Sequence, residues 1–297
     1  MTKMQQVVDA AKKGTKKKIA AACAHDEDVL LSLNRAVGEG IVTPILVGHK
    51  TEIEALIKKL GLNNLNAEII DCETEAEAAE ICVKKVSQGE AHLLMKGLMA
   101  TSTMLKAVLN KEWGLRKGDL LSHIVLMEPE NQERLIVITD AGMNIKPDLS
   151  QKKMIIENAV ELAHKLGIQT PKVAPLCAIE TVNPDMQATI DAAILSKMAQ
   201  RGQIKGCLVD GPLAMDNAVS VEAAKHKKIV SEVAGHADIL LVPDIESGNI
   251  LYKAMGFLTS AHLAAIITGA KVPIVLTSRA DSDETKFHSI ALAVAVS

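Results

Sequence analysis

The sequence predicts an α/β protein in which helices pack on mostly parallel, partly mixed sheets. Apolar runs of strand length alternate with segments of helical periodicity along nearly all of the 297 residues. Apolar residues make up 48% of the chain and aromatic residues only 1%, so the core must consist of Ala, Val, Ile, Leu and Met. That composition is typical of helices on an apolar parallel sheet, and repeated strand–helix–strand units require parallel strands.

The individual elements follow from these two periodicities. Short apolar runs bounded by turns predict strands at Lys18–Cys23, Val42–Val47, Glu68–Cys72, His92–Met95, Ile124–Met127, Leu135–Thr139, Val173–Cys177, Gly206–Val209, Ile239–Val242 and Pro273–Thr277. Apolar residues at every third or fourth position predict helices at Asp28–Val37, Thr51–Leu60, Glu75–Ser87, Ser102–Leu109, Gln151–Leu166, Met186–Met198, Val221–Val233, Asn249–Leu258 and Asp283–Val294. We expect Ser150 to cap the helix from Gln151 and Gly167 to end it.

One pair of strands, Ile124–Met127 and Leu135–Thr139, has no helix between its members. The short connection Glu128–Arg134 allows a hairpin, so we expect a mixed sheet and place the domain junction here. We predict two α/β/α domains flanking a cleft. Domain I comprises residues 1–130 and 275–297, and domain II comprises residues 131–274. Ligands of such sheets bind beyond the carboxyl ends of the strands, which places the active site in the cleft.

Composition excludes several classes of function. The net charge of −3 selects neither a polyanion nor a membrane surface, and the chain has almost no aromatic side chains on which nucleic-acid bases could stack. We expect no nucleic-acid or membrane partner. The five cysteines have no C-x-x-C spacing, which is typical of core residues in the reducing cytoplasm. The nine histidines form no metal-binding pattern, so we expect no metal.

The segment Thr277–Glu284 (TSRADSDE) is the first candidate site, because it joins a strand to a helix. Arg279 is one of only five arginines, and a guanidinium binds phosphate through two parallel hydrogen bonds. Ser278 can donate to a phosphoryl oxygen or to a developing oxyanion. The alternative is an exposed arginine in a turn where Asp281 caps the helix and Glu284 occupies its third position.

Three further strand–turn–helix segments carry polar residues. The segment Pro243–Lys253 combines Asp244, Ser247 and Asn249 with Gly248, which permits close backbone approach to a ligand, and ends at Lys253; the alternative for Ser247 is an ordinary helix cap. The segment His92–Ser102 offers a possible anion-binding wall, consisting of Lys96, Gly97, Thr101, Ser102 and, one turn later, Lys106. Asp210 follows another strand and can act as an acid, a base or an acceptor, although Asp-Gly-Pro is also common turn chemistry.

These blocks together resemble the phosphate acetyl/butyryltransferase family. They are KGLMATSTMLK (96–106), TDAGMN (139–144), DGPLAMD (210–216), ADILLVPDIESGNILYK (237–253) and LTSRADS (276–282). The P-D-x-x-x-G-N-x-x-Y-K block is the most specific, and the S-R-A-D-S block is more similar to the butyryl than to the acetyl enzymes. The resemblance implies two α/β domains of the isopropylmalate dehydrogenase type and a homo-oligomer. It also implies reversible transfer of an acyl group between CoA, a substrate rather than a bound cofactor, and phosphate.

The resemblance also implies roles for individual residues. Ser278 and Arg279 match the family's Ser-Arg pair, which is assigned to transition-state stabilisation and phosphate binding. In acetyl relatives a catalytic Asp follows that Arg by six positions, where this chain has Thr285. The general base is therefore open between Glu284, Asp283 and Asp281, and we select Glu284. Lys106 stands where the acetyl enzymes have Arg.

Two other functions remain as alternatives. The first is an NAD(P)- and metal-dependent β-decarboxylating dehydrogenase, which would need an Asp cluster and several Arg residues that this chain does not offer in its sequence pattern. The second is a non-catalytic acyl phosphate sensor, which the missing Asp favours.

Overall fold

The computed structural model describes all residues from Met1 to Ser297. The chain forms two compact units. The terminal unit comprises Met4–Asp119 and Leu263–Ser297, and the central unit comprises Leu120–His262 with Met1–Lys3. The predicted domain boundaries after residues 130 and 274 lie further along the chain than these, and the predicted cleft stays a prediction.

The predicted α/β class with mixed sheet pairing is confirmed. The strands are β1 Lys17–Ala22, β2 Val42–Gly48, β3 Glu68–Asp71, β4 Leu93–Lys96, β5 Ser122–Glu128, β6 Ile136–Thr139, β7 Lys172–Pro175, β8 Leu208–Val209, β9 Ile239–Leu241, β10 His262–Thr268 and β11 Ile274–Val275. The helices are α1 Met4–Lys13, α2 Glu27–Gly38, α3 Lys50–Lys59, α4 Glu75–Ser87, α5 Thr101–Val108, α6 Leu149–Lys165, α7 Gln187–Gln200, α8 Met215–Val219, α9 Val221–His226, α10 Ile245–Leu258 and α11 Asp283–Ala295.

The terminal unit has the strand order β3-β2-β1-β4-β11-β10. All neighbours are parallel except β10 and β11. The connections from β1 to β2 and from β3 to β4 run in opposite directions along the sheet, so right-handed crossovers place α2 and α4 on opposite faces. Helix α11 packs on β11, α1 and α2. The carboxyl ends of β1, β2, β3 and β4 therefore share one edge, where ligands of such sheets bind.

The central unit has the strand order β5-β6-β9-β7-β8. The predicted hairpin of β5 and β6 is confirmed by its antiparallel register, in which Ile124 pairs with Thr139 and Met127 with Ile136. Strands β6, β9, β7 and β8 are parallel. Helix α6 packs on β5, β6 and β9, and α7 packs on β7 and β8. The turns after β6 and β9 consequently lie side by side.

The structure corrects the prediction at several elements. Strand β10 was not predicted, because its Ala-rich sequence HLAAIIT has no alternation of polar and apolar residues. Helix α1 was also missed; its buried side chains are Met4, Val7, Val8 and Ala11. Helix α9 ends at His226 rather than Val233, because Lys228 has a left-handed φ of +55°.

The predicted cap residues differ from those observed. The predicted N-cap Ser150 is wrong, since Asp148 and Gln151 form a capping box at the start of α6. Gly167, with a φ of +89°, follows the end of that helix as predicted. Helix α10 begins four residues earlier than the predicted Asn249, at Ile245.

Candidate functional site

The end of β4 carries a buried lysine. Lys96 is 4% exposed, and its Nζ donates to the carbonyl oxygens of Gly97 at 3.1 Å and Met99 at 3.2 Å. It forms no ion pair with any carboxylate. Gly97 is required here, because a Cβ would lie 2.2 Å from the carbonyl oxygen of Cys23 on the neighbouring strand end. A buried ammonium without a counter-ion is costly, so its position indicates an anion-binding role.

Two further cations lie close enough to Lys96 to change its ionisation. Burial lowers the pKa of Lys96 below its ordinary value, and the positive charges of Arg279 and Lys286 lower it further. The carboxylates of Asp26 and Glu75 act in the opposite direction without reversing the shift. We call Lys96, Arg279 and Lys286 the cation cluster. Such a concentration of positive charge at strand ends suits an oxyanion.

Lys286 was not identified from the sequence. It lies on α11, is 3% exposed, and donates through Nζ to the backbone carbonyl oxygen of Asp281. Its Nζ lies 3.6 Å from Oδ2 of Asp28 on α2. The signal that could have found it is the second half of the helix, Ile290–Ala295, which is apolar on all sides and therefore indicates a buried helix.

The turn after β11 is fixed by Asp281. The backbone N–H of Ser278 donates to Oδ2 of Asp281 at 2.6 Å, and the N–H of Ala280 donates to Oγ of Ser278 at 3.4 Å. Asp281 is 8% exposed, whereas Arg279 is exposed. The carboxylate of Asp281 thus holds the turn, and the guanidinium of Arg279 remains accessible.

The candidate bases differ in their surroundings. Glu284 is exposed in the first turn of α11, and Asp283 beside it is half-buried. Ser282 is the N-cap, accepting from the N–H of Thr285 at 3.2 Å, so the alternative that Asp281 caps this helix is wrong. Because Asp281 is occupied by the turn, Glu284 and Asp283 remain the better candidates, and the assignment of Glu284 stays a prediction.

The predicted binding residues of α5 lie at its first turns. Thr101 is half-buried, and Ser102 and Lys106 are exposed. The helix has no side-chain cap, and the N–H of Ala100 is satisfied by Oε2 of Glu75 at 3.0 Å. Their exposure is compatible with ligand binding, which stays a prediction for these three residues.

In the central unit, Asp244 is the N-cap of α10. Its Oδ1 accepts from the N–H of Ser247 at 2.9 Å and from its Oγ at 2.6 Å, so the alternative that Ser247 is the cap is wrong. Burial alone would raise the pKa of Asp244, but the hydrogen bonds from Ser247 and the charges of Lys152 and Lys146 lower it overall. Asp244 is therefore an ionised acceptor that builds the turn.

The turn after β9 packs directly on the turn after β6. A Cβ on Gly248 would lie 2.5 Å from the carbonyl oxygen of Asp140, and Nδ2 of Asn249 donates to the carbonyl oxygen of Ala141 at 3.4 Å. Asp140 is 2% exposed and accepts from the backbone N–H groups of Gly142 at 2.9 Å and of the following methionine at 2.8 Å. Two blocks that are distant in sequence thus form one rigid corner.

The other two predicted binding residues of the central unit are Lys253 and Asp210. The Nζ of Lys253 lies 5.2 Å from the ring centre of Tyr252 and 5.7 Å from that of Phe257, which is cation–π geometry. Asp210 is half-buried after β8, and its N–H donates to the carbonyl oxygen of Val173 at 3.2 Å. Since β7 separates β8 from β9, the structure does not bring Asp210 into the Asp244 turn.

No helix in the structure combines the length and the apolar character that crossing a membrane requires.

Comparison with known proteins identifies the family. The model of the family described as "Phosphate acetyl/butaryl transferase" matches residues 2–86 and 75–294. The phosphate butyryltransferase of Clostridium acetobutylicum is 48% identical over 291 residues, covering 98% of this chain and 97% of that protein. The phosphate acetyltransferase of Thermotoga maritima is 51% identical over 289 residues, covering 97% of this chain and 98% of that protein.

A solved structure gives the same result. The crystal structure of a branched-chain phosphotransacylase from Enterococcus faecalis V583 superposes with a TM-score of 0.84 at 34% identity, covering 94% of this chain and 98% of that one. The resemblance read from the sequence blocks is confirmed. This chain belongs to the phosphate acetyl/butaryl transferase family.

Proposed function

We propose that this chain catalyses reversible acyl transfer between a short-chain acyl-CoA, with butyryl-CoA as the expected substrate, and inorganic phosphate. The products are an acyl phosphate and CoA. The observation that carries the proposal is Lys96, a buried ammonium without a carboxylate ion pair, whose pKa is lowered by burial and by the charges of Arg279 and Lys286. Similarity to phosphate butyryl- and acetyltransferases supports the same assignment.

The cation cluster accounts for phosphate binding. The Nζ of Lys96 has three donors and uses two on backbone carbonyls, which leaves one for an oxyanion. Arg279 adds a planar fork that matches two phosphate oxygens, and Ser278 adds a hydroxyl in the adjacent turn. Phosphate therefore exchanges water for charge-assisted hydrogen bonds at the cluster.

The reaction needs positioning and charge stabilisation more than a strong base. A phosphate oxygen attacks the thioester carbonyl carbon, the carbonyl oxygen gains the electron pair of the π bond, and the collapse of this intermediate breaks the C–S bond. The departing electron pair stays on sulfur as a thiolate. In the reverse direction the thiolate attacks the acyl phosphate. A thiol has an ordinary pKa of about 8.5, and neighbouring cations favour its thiolate, so the cluster assists both directions.

The roles of the central unit are narrower in this proposal. Asp244 and Gly248 shape the turn after β9. We propose that CoA is contacted by the side chains of Asp210, Ser247, Asn249 and Lys253. We propose that the enzyme acts as a homo-oligomer in the cytoplasm, with CoA as a substrate and without a bound cofactor. The free state of all five cysteines supports a reducing compartment.

A direct assay tests the proposal. Purified enzyme is mixed with butyryl-CoA and phosphate without added metal, and the thioester absorbance is followed. We expect the thioester absorbance to fall at a rate that depends on the phosphate concentration. This fall should be lost in the double variant that carries both Ser278→Ala and Arg279→Ala. A fall that does not respond to phosphate would contradict acyl transfer.

The same assay separates the alternatives. Reduction of NAD(P) with a 2-hydroxy acid and a divalent ion would favour the dehydrogenase. Tight acyl phosphate binding without turnover would favour the sensor. A panel of acetyl-, propionyl-, butyryl- and isobutyryl-CoA ranks the acyl groups by kcat/KM, which is necessary because relatives named for butyryl and for acetyl transfer are about equally similar to this chain.

A further inference from the structure

The central unit contains a cavity of about 500 Å³ at the carboxyl edge of its sheet. Strands β6, β9 and β7 are adjacent and parallel, so the helices that follow them, α6, α10 and α7, all begin at this edge. The lining comes from the starts of these helices and includes Lys146, Asp148, Lys152, Ala188, Asp191 and Asp244. The volume lies within the usual range of small-molecule sites, about 300–1,000 Å³.

The lining does not include the residues that the proposed reaction uses in this unit. The proposed CoA contacts Asp210, Ser247, Asn249 and Lys253 are absent from it. Asp244 belongs to the lining, but its part in the proposed reaction is only to cap α10 and shape the turn after β9. The ligand of this cavity is therefore inferred from the lining itself.

A buried ion pair forms one wall of the cavity. Lys152 is 5% exposed and Asp191 is 7% exposed, and Nζ of the lysine donates to Oδ2 of the aspartate at 2.6 Å. Oδ1 of Asp191 accepts from Nε2 of Gln187 at 2.8 Å, so both oxygens of this carboxylate have partners. The ammonium of Lys152 has three donors and uses one. Because unused donors of a buried charge are costly, the two remaining ones favour an acceptor on a ligand in the cavity.

The helix α7 offers further donors beside Lys152. Asp148 caps α6 and Asp244 caps α10 with their carboxylates, whereas Met186, at the same position of α7, makes no side-chain cap. The backbone N–H groups of Gln187 and Ala188 in the first turn of α7 consequently have no acceptor, and both residues line the cavity. A ligand carboxylate can therefore accept from this helix start and from the buried lysine together.

The cavity also offers acceptors for a cationic group. Asp148 uses only Oδ1 in its cap, and Asp244 likewise uses only Oδ1, so one oxygen of each carboxylate has no donor. Against the effect of burial, hydrogen bonds from Ser247 and the charges of Lys152 and Lys146 lower the pKa of Asp244, which is therefore ionised. Both signs of charge thus line one cavity, and this arrangement suits a zwitterion better than phosphate.

The apolar part of the lining is aliphatic. It consists of Pro147, Leu149, Ala188, Ile194 and Pro243, and no aromatic side chain lines the cavity. Ile194 is 40% exposed although it is a large apolar residue in a helix. An aliphatic side chain of a ligand would cover it.

We propose that this cavity binds a zwitterionic aliphatic α-amino acid. The ligand carboxylate accepts from Lys152, from Lys146 and from the N–H groups at the start of α7. The ligand ammonium donates to the unused oxygens of Asp148 and Asp244, and the aliphatic side chain contacts Ile194. This binding site goes beyond acyl transfer and does not rest on the proposed function.

Equilibrium dialysis of the full chain against labelled L-leucine, L-isoleucine and L-valine, without other substrates, tests the proposal. We expect saturable binding of at least one of the three. Lys146→Met and Asp148→Asn should each weaken it about fivefold or more, the equivalent of one lost charged contact. Both positions are exposed, and Asn caps a helix about as well as Asp, so the fold should tolerate both changes. The matched controls Lys205→Met and Asp119→Asn, at exposed positions outside the cavity, should bind like the wild type.

Competition experiments test the zwitterion. If L-leucine binds, 4-methylpentanoate, which lacks its ammonium, and 3-methylbutylamine, which lacks its carboxylate, should each compete at least about tenfold more weakly. Equal competition by either compound would overturn the assignment of an amino acid, and so would displacement by inorganic phosphate. Displacement by butyryl-CoA would assign the cavity to the acyl substrate instead. No saturable binding of the three amino acids, or binding that is equal in the variants and their controls, would remove the site altogether.

Discussion

The ammonium group of Lys286 donates to the backbone carbonyl oxygen of Asp281, while the carboxylate of Asp281 accepts from the backbone N–H of Ser278. One buried lysine thus holds the turn that presents Arg279, through a residue that itself has no contact role in the proposed chemistry. Its charge also lowers the pKa of Lys96. Lys286 is a positioning residue in this arrangement.

Lys286→Met should raise the KM for phosphate about tenfold or more and lower kcat less, because the turn and the local charge both change while the reacting groups remain. The variant also leaves the carbonyl oxygen of Asp281 without its partner. Steady-state kinetics with phosphate as the varied substrate measure the effect. Lys58→Met, at an exposed position of α3, is the control. Equal kinetics of the two variants would remove Lys286 from the site.

Lys96→Met should make the protein more stable and less active. Removing a buried ammonium without a counter-ion removes its desolvation cost, so the free energy of unfolding should rise by about 1 kcal/mol or more. The kcat/KM for phosphate should fall about a hundredfold. Urea unfolding and steady-state kinetics check both effects. A less stable variant with full activity would show that Lys96 is structural.

The phosphate KM of the wild type should rise at alkaline pH. The pKa of Lys96 is lowered in the folded protein, so this group loses its proton at lower pH than an ordinary lysine. Between the pKa of Lys96 in the folded state and its higher pKa in the unfolded state, the folded state binds fewer protons. The contribution of Lys96 to the free energy of unfolding therefore rises as the pH rises through the folded-state pKa. In Lys96→Arg the charge persists, because a guanidinium does not titrate here.

The effect of Lys96 deprotonation is tested by measuring the KM for phosphate from about pH 7 to pH 10. This range ends near the ordinary lysine pKa of about 10.4. The ionisation of phosphate and of the thiol affects both proteins equally, so the difference between wild type and Lys96→Arg isolates Lys96. Parallel pH profiles would contradict the assignment.

Gly248→Ala should disturb the corner between the turns after β6 and β9. The added Cβ would lie 2.5 Å from the carbonyl oxygen of Asp140, which is backbone and cannot rotate away. We expect the free energy of unfolding to fall by about 2 kcal/mol, with a loss of kcat/KM for butyryl-CoA. Gly38→Ala is the control, because nothing lies within 4 Å of its Cβ position. Thermal unfolding that ranks the two variants alike would argue against a rigid corner.

Arg279→Lys should weaken phosphate use by about tenfold or more while the fold stays intact, since an ammonium cannot reproduce the two parallel hydrogen bonds of a guanidinium. The KM for phosphate is the main readout, and circular dichroism checks the fold. Unchanged kinetics would exclude Arg279 from phosphate binding.

The sequence predicted the strands and helices best where each has one apolar face. The prediction failed at β10, because HLAAIIT shows no alternation of polar and apolar residues. It also failed at α1, where the Lys-rich residues that follow the helix obscured its four buried positions. The Ser278–Arg279 turn and Lys96 could be proposed from local patterns because each follows a strand. Lys286 could not, since its importance comes from neighbours that are distant in the sequence and from burial that a single residue does not show.

The terminal unit is assembled from both ends of the chain, with β11 seated between β4 and β10 and α11 packed on α1 and α2. During synthesis on the ribosome, Lys96 emerges long before Ser278, Arg279 and Lys286. A nascent chain therefore holds one of the three residues of the cation cluster beside an unfinished sheet edge, and the cluster is complete only when β11 and α11 have joined this unit.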